Sequence, residues 1–122
     1  MDEHRGGCLC GRIRFVARGA PLLVGWCHCA SCRRQTGAPA ACYADFAADQ
    51  VRFATPPARF ASSPGVSRGF CAACGTPLSF ASDAEPDKIC LHIGALDDPA
   101  VLRPTAESFP AERLPWLTPP VL

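Results

Sequence analysis

Lysine is all but missing from this chain. Lys88 is the only one among twelve basic side chains, so arginine carries nearly all of the positive charge. Arginine forks pair bidentately with carboxylates and sit well beside thiolates. An excess of either sign is missing too. The formal net charge is +1, which argues against nucleic acid or an anionic membrane as a partner. No apolar run approaches the length that spans a bilayer. The opening Met1-Asp2-Glu3-His4-Arg5 is charged and has no apolar stretch behind it, which argues against a signal peptide. Long helices are excluded because thirteen prolines and ten glycines interrupt the 122 residues. There is no low-complexity tract and no internal repeat beyond short cysteine knuckles. The length suits one domain, residues 1–122, with a modest core.

What the chain has in abundance is cysteine. Seven of the nine fall into three clusters: Cys8-x-Cys10, Cys27-x-Cys29-x-x-Cys32 and Cys71-x-x-Cys74. Neighbouring thiolates on one turn converge on a tetrahedral ion with little backbone reach. Cysteines one residue apart seldom bridge each other, because a disulfide needs a specific Cβ separation and torsion. Seven is also odd, which suits one four-thiolate site plus one three-thiolate site better than a disulfide framework. A zinc site closed by four protein ligands is structural, whereas one with three keeps a position for water or substrate. Two divisions are possible. Cys8, Cys10, Cys71 and Cys74 can close one site and leave Cys27, Cys29 and Cys32 open. Alternatively, two of the middle trio join Cys71 and Cys74, which strands Cys8 and Cys10. The first uses every clustered thiol and is preferred. It gives two zinc ions per chain. Thiolates must stay reduced to hold metal, so a cytoplasmic or other reducing compartment is expected.

Periodicity around these clusters predicts a small, mostly β domain with short strands, zinc knuckles and little helix. Ile13, Phe15 and Ala17 alternate with Arg12 and Arg14, the pattern of a half-buried strand. Further short strands are expected at 22–26, 40–46, 51–53, 59–61, 68–70, 78–80 and 89–93. One or two helical turns are expected from Ala30 to Gln35, stopping near Gly37 and Pro39. A turn is expected around Asp97-Asp98-Pro99. The proline-rich tail beyond Pro104 reads as irregular, with Phe109 and Trp116 packing back on the sheet. So small a core needs a staple, and a structural metal joining Cys8-x-Cys10 to Cys71-x-x-Cys74 supplies one.

Several residues near the clusters allow two roles each. Gly11 and Gly75 follow a ligand and suit a knuckle turn with positive φ. Arg5, Arg12 and Arg68 can offset the charge of a four-thiolate zinc, or Arg12 can simply be solvated. His28 is a ligand, a proton shuttle or, more simply, a residue pointing away between two ligands. Arg33 and Arg34 can anchor a carboxylate-bearing ligand or stand exposed on a short helix. Cys90 and His92 share a strand face that can look toward a metal, or they are a small buried thiol and a satisfied histidine. Cys42 is most simply a core residue and His4 an exposed terminal one.

Taken in order, five motifs resemble one family. They are Gly7-Cys8-x-Cys10-Gly11; Cys27-His28-Cys29-x-x-Cys32-Arg33 with Thr36-Gly37; Phe70-Cys71-x-x-Cys74-Gly75-Thr76-Pro77-Leu78; Leu96-Asp97-Asp98-Pro99; and Arg113-x-x-Trp116. The set resembles the glutathione-dependent formaldehyde-activating enzyme family, which also includes centromere protein V, over a core of about residues 6–116. The resemblance implies a β-tent fold with two zinc sites. It assigns the structural site to Cys8, Cys10, Cys71 and Cys74, and the catalytic site to Cys27, Cys29 and Cys32. It implies a carbon–sulfur lyase that reversibly joins formaldehyde to glutathione or a similar small thiol, giving S-hydroxymethylglutathione. Arg33, Arg34 and Trp116 are the candidates for contacts with that thiol.

Two other readings compete. One is a non-enzymatic zinc module, either a carrier of the thiol adduct or a protein-interaction domain. The other is a thiol redox protein, supported only by Cys29-x-x-Cys32. A three-thiolate site counts against a purely structural role unless Cys90, His92 or His28 completes it.

Overall fold

The computed structural model describes residues 2–118. Ten strands and one short helix follow in order: β1 (Glu3–Gly7), β2 (Arg14–Arg18), β3 (Leu23–Cys27), α1 (Ala30–Thr36), β4 (Ala41–Ala47), β5 (Val51–Phe53), β6 (Ala58–Ser63), β7 (Val66–Phe70), β8 (Pro77–Ser82), β9 (Lys88–His92) and β10 (Ala106–Ser108). They form a three-stranded sheet, β1-β2-β5, and a seven-stranded sheet, β10-β3-β4-β9-β8-β7-β6. Every pairing is antiparallel except β10 with β3. This mainly β architecture is the one expected. Among the described residues no helix is long and apolar enough to cross a membrane.

The core lies where the two sheets meet. Ile13, Phe15 and Ala17 project from the β2 side against Val24, Ala44, Phe46, Leu78, Leu91 and Leu96. The alternation read in the sequence therefore points the way it predicts, with Arg14 and Arg18 exposed. The central strands β4 and β9 are buried on both faces. Ala44 and Phe46 of β4, with Ile89 and Leu91 of β9, face this core. Tyr43 and Cys90 face a second cluster with Cys27, Cys32 and Ala41. That second face carries the candidate site.

Two strands lack a sequence signal. β1 contains Glu3, His4, Arg5 and two glycines, so no apolar period marks it; it forms by pairing with β2 from Glu3↔Arg18 to Gly7↔Arg14. His4, expected to be exposed, is half-buried there, its ring 6.0 Å from that of Phe46. β10 lies in the tail expected to be irregular, and it pairs with β3 from Ala106↔Gly25 to Ser108↔Cys27. The tail thus packs back on the sheet as expected, but through backbone pairing. Its aromatic residues stay out, Phe109 being 58% and Trp116 69% exposed.

Gly6 marks the tightest join between the sheets. It pairs with Phe15 in β1–β2 and bridges to Leu96, and a Cβ placed there would collide with the Ala95 carbonyl oxygen and the Phe15 ring. Gly94 has open space around the same position and no positive φ. Gly6→Ala is expected to lower stability by about 1–3 kcal/mol, as overpacking does, and Gly94→Ala to leave it nearly unchanged. Thermal melts of the two variants check this contrast.

Candidate metal centre and its cavity

The first cysteine group joins the two sheets. Cys8 and Cys10 lie in the turn between β1 and β2, and Cys71 and Cys74 in the turn between β7 and β8. Their sulfurs lie within 4.8 Å of one another. Cys8 Sγ is 3.5 Å from Cys10 Sγ, which is 3.8 Å from Cys71 Sγ. Four thiolates on a tetrahedral ion with bonds of about 2.3 Å sit about 3.8 Å apart, so the group fits a metal. None of the nine cysteines is in a disulfide.

Both turns are knuckles. The Gly11 N–H donates to Cys8 O at 3.0 Å and the Gly75 N–H to Cys71 O at 2.8 Å. Each glycine has a positive φ, 82° and 81°, a conformation that costs other residues strain. Within the first knuckle the Ile13 N–H donates to Cys8 Sγ at 3.2 Å. Thr76 ties the two together. Its hydroxyl accepts from the Leu9 N–H at 3.0 Å and lies 3.2 Å from Cys74 Sγ. That hydroxyl contact, with backbone donors behind it, holds the Cys74 thiol down to about 5. A thiol so disposed supplies a thiolate, the form that ligates metal.

The second group is Cys27, Cys29 and Cys32, whose sulfurs also lie within 4.8 Å of one another. Cys27 ends β3. Cys29 is the N-cap of α1, its sulfur accepting from the Cys32 N–H at 3.3 Å. Gly37 closes the helix with a φ of 71°, where the sequence predicts the stop. No histidine or carboxylate joins either group among the described residues, so the second has three ligands against four in the first. This is the preferred division of the thiols.

A buried cation stands behind the trio. Arg68, on β7, is only 3% exposed. Its Nη1 lies 3.5 Å from Cys32 Sγ and 3.4 Å from the Tyr43 hydroxyl, and its Nε donates to Ser62 Oγ at 3.0 Å. The guanidinium also lies over the Phe80 ring, 5.1 Å from its centroid. The Tyr43 hydroxyl is itself 3.3 Å from Cys32 Sγ. Hydrogen bonding from Cys27, then from Tyr43 and Arg68, holds the Cys32 thiol down to about 4, against the opposing effect of burial. The Cys32 contact and burial push Cys27 up. Arg68 was expected beside the four-cysteine group; it serves the three-cysteine group instead. Strand β7 leads into Cys71, so the neighbour in sequence is not the neighbour in space.

Two of the trio, Cys27 and Cys32, line a cavity of about 270 Å³ together with Tyr43 and Cys90. β3 and β10 form one side, with Trp26 and Phe109, and the β4, β8 and β9 side adds Asp45, Phe80 and Lys88.

Other expected site residues fall as follows. His28 is fully buried and points away from the sulfurs, its Nε2 2.9 Å from Glu107 Oε1; Glu107 Oε2 in turn accepts from Arg113 Nη2 at 2.8 Å. This chain locks the tail to the knuckle and gives Arg113 a role that its motif did not reveal. Arg33 donates to the carbonyls of His28 at 2.7 Å and Glu112 at 3.2 Å, so it braces the loop. Arg34 is exposed and borders a separate groove with Ser31, Gln35, Phe60 and Arg68. Trp116 stands outside the cavity lining, and Phe109 occupies the mouth instead. Cys42 is half-buried on the core side of β4. Cys90 is buried at the cavity and is not grouped with the trio. His92 packs on Tyr43, ring centroids 4.5 Å apart, and its Nε2 has no hydrogen-bond partner among the described residues.

Comparison with known proteins agrees with this architecture. A family profile described as glutathione-dependent formaldehyde-activating enzyme matches residues 3–112. A crystal structure of a Rhodobacter sphaeroides protein from a structural-genomics programme superposes with a TM-score of 0.68 at 19% identity, covering 85% of this chain and 99% of that one. At that identity the likeness is one of fold. No curated protein matches.

His92 predicts an acid limb of stability. Burial, reinforced by Arg68, pushes its pKa down from 6.5 to about 4. Between those values the unfolded chain takes up a proton that the folded protein refuses. Stability is therefore lost as pH falls from about 6.5 toward 4, by at most about 3 kcal/mol. Urea melts of wild type and His92→Phe at pH 7 and pH 5 are expected to show a smaller loss in the variant.

Proposed function

The chain belongs to the glutathione-dependent formaldehyde-activating enzyme family, and on that footing we propose that it is a zinc-dependent carbon–sulfur lyase. It reversibly joins formaldehyde, or a related carbonyl, to glutathione or a similar small thiol. The observation that carries this reading is the three-cysteine group, two of whose members line an open cavity. Cys8, Cys10, Cys71 and Cys74 hold the structural zinc, and Cys27, Cys29 and Cys32 hold the catalytic one. The all-thiolate donor sets and their spacing suit zinc. The nine free thiols suit a reducing compartment such as the cytoplasm. The chain works as one zinc-binding domain.

In the forward direction a bond forms between the thiol sulfur and the carbonyl carbon. The thiol proton ends on the former carbonyl oxygen. The reverse breaks the carbon–sulfur bond and regenerates both reactants. When bound, zinc supplies a Lewis acid that favours the thiolate or polarises the carbonyl. The chain's own residues orient the partners. Tyr43 and Arg68 fix the Cys32 sulfur by hydrogen bonds, and burial keeps the Tyr43 phenol protonated by pushing its pKa up. Phe80 and Phe109 line the cavity with aromatic surface, which limits water near the reacting atoms.

Elemental analysis of the reduced, purified protein is expected to give two zinc ions per chain. The two sites are expected to respond differently to mutation. Cys71→Ser should destabilise the domain strongly, because binding at that site joins the sheets and is coupled to folding. Cys29→Ser should leave a folded protein that holds zinc weakly at the open site; equal damage in thermal melts would contradict the division of roles.

The function itself is tested by the rate at which S-hydroxymethylglutathione forms from glutathione and formaldehyde, measured against the uncatalysed reaction. Acceleration that disappears in Cys29→Ser supports the lyase. Binding of glutathione without acceleration makes the protein a carrier. In calorimetry, glutathione is expected to bind more tightly than S-methylglutathione, whose thioether cannot supply a thiolate.

A further inference from the structure

The cavity beside the cysteine trio has two unlike sides. On the β3–β10 side Leu23 and Phe109 stand at its mouth as exposed apolar side chains. Phe109 is the only non-glycine residue with a positive φ among the described residues, 55°. Strain of this kind persists where the surroundings enforce it, and it clusters at ligand clamps. Next to them lies a charged rim, Asp45 being the cross-strand partner of Leu23. Lys88 Nζ is 3.6 Å from Asp45 Oδ2 and 3.0 Å from Glu85 Oε2. All three residues line the cavity, and Lys88 is the only lysine in the chain.

Building on the thiol reading above, we propose that Asp45, Glu85 and Lys88 are specificity-determining residues that read a zwitterionic amino-acid end of the thiol substrate. Phe109 packs on the chain between that end and the sulfur. The charge count selects the class. One cation between two carboxylates leaves the rim with a net charge of −1. A purely anionic end gains Lys88 but meets both acids. A purely cationic end gains the acids but competes with Lys88. An end that carries both an ammonium and a carboxylate exchanges the existing pairs for new ones of the same kind, so no charge is left unpaired.

Spacing sets the length of the substrate. The Tyr43 hydroxyl touches the Cys32 sulfur. Asp45 is two residues further along β4, and Lys88 lies opposite Ala47, two residues beyond that. At the rise of an antiparallel strand these steps place the rim about 7–14 Å from Tyr43 along the strand. A peptide thiol of two to four residues spans that gap at about 3.4 Å per residue. Free cysteine does not, because its charged groups lie within a few bonds of its sulfur.

Calorimetric titration of the zinc-loaded full chain with three thiols tests this. Glutathione carries the whole zwitterionic end, N-acetylglutathione lacks its ammonium, and 2-mercaptoethanol lacks the end entirely. Glutathione is expected to bind about ten-fold more tightly than the other two, the value of a charge-assisted contact. Asp45→Asn is expected to erase the margin over N-acetylglutathione, which reports the ammonium, and Lys88→Met to shrink the margin over 2-mercaptoethanol, which also reports the carboxylate; neither is expected to change the affinity for 2-mercaptoethanol. A margin that survives both substitutions, or is absent from the wild type while all three thiols bind, overturns the role of the rim and leaves the thiol reading standing. Absence of binding by every thiol overturns the thiol reading and this inference with it.

Discussion

Four sulfurs from opposite halves of the chain converge where the two sheets meet, and the rest of the structure depends on what holds them there. Cys10 and Cys71 are 61 residues apart in sequence and 3.8 Å apart at their sulfurs. Four thiolates at that spacing repel one another unless a cation sits between them. An ion bound there would turn repulsion into a clamp and anchor the small sheet against the core around Phe15, Leu78 and Leu91. Such a clamp would also fix the end of β7. Arg68 lies three residues before Cys71 on that strand, and its guanidinium reaches Cys32 in the second group. The strand that carries the four-cysteine turn thus also positions the cation beside the three-cysteine group.

The open site draws on a sheet with no solvent-facing side at its centre. A strand alternates its side chains, so β4 and β9 each serve two interiors at once. One holds the two sheets together, and the other surrounds the cysteine trio. Placing Tyr43, Cys90 and His92 on rigid central strands gives the trio a firm backing, which a loop alone does not provide. The trio sits at the junction of β3 and α1, where Cys29 replaces the usual oxygen of an N-cap with sulfur.

The sequence made the cysteine groups legible because ligand spacing is a local property. Cys-x-Cys and Cys-x-x-Cys each describe a single turn, and counting divided the thiols four and three. Most strands were legible for the same reason, since alternation from Ile13 to Ala17 is visible without a partner. What escaped was anything defined across strands. β1 has no period of its own and exists through its pairing with β2. Arg68 gives no local sign of lying behind Cys32, 36 residues away. Arg33 and Arg34 stand next to the ligands in sequence, yet one braces backbone carbonyls and the other is exposed, because helical geometry turns both away from the cavity. The Glu107 partner of His28 comes from a tail whose prolines suggested irregular structure.

That tail has a consequence for the edge of the large sheet. β10 occupies the outer position of the large sheet and satisfies the backbone of β3 along its pairing from Gly25 to Cys27. Without it, β3 becomes a bare edge with Leu22 and Leu23 already exposed beside it. An unpaired apolar edge is a template for strand addition by a neighbouring chain. The three residues Ala106 to Ser108, held by the contacts of Glu107 with His28 and Arg113, therefore cover the edge of β3 as well as lining one wall of the cavity.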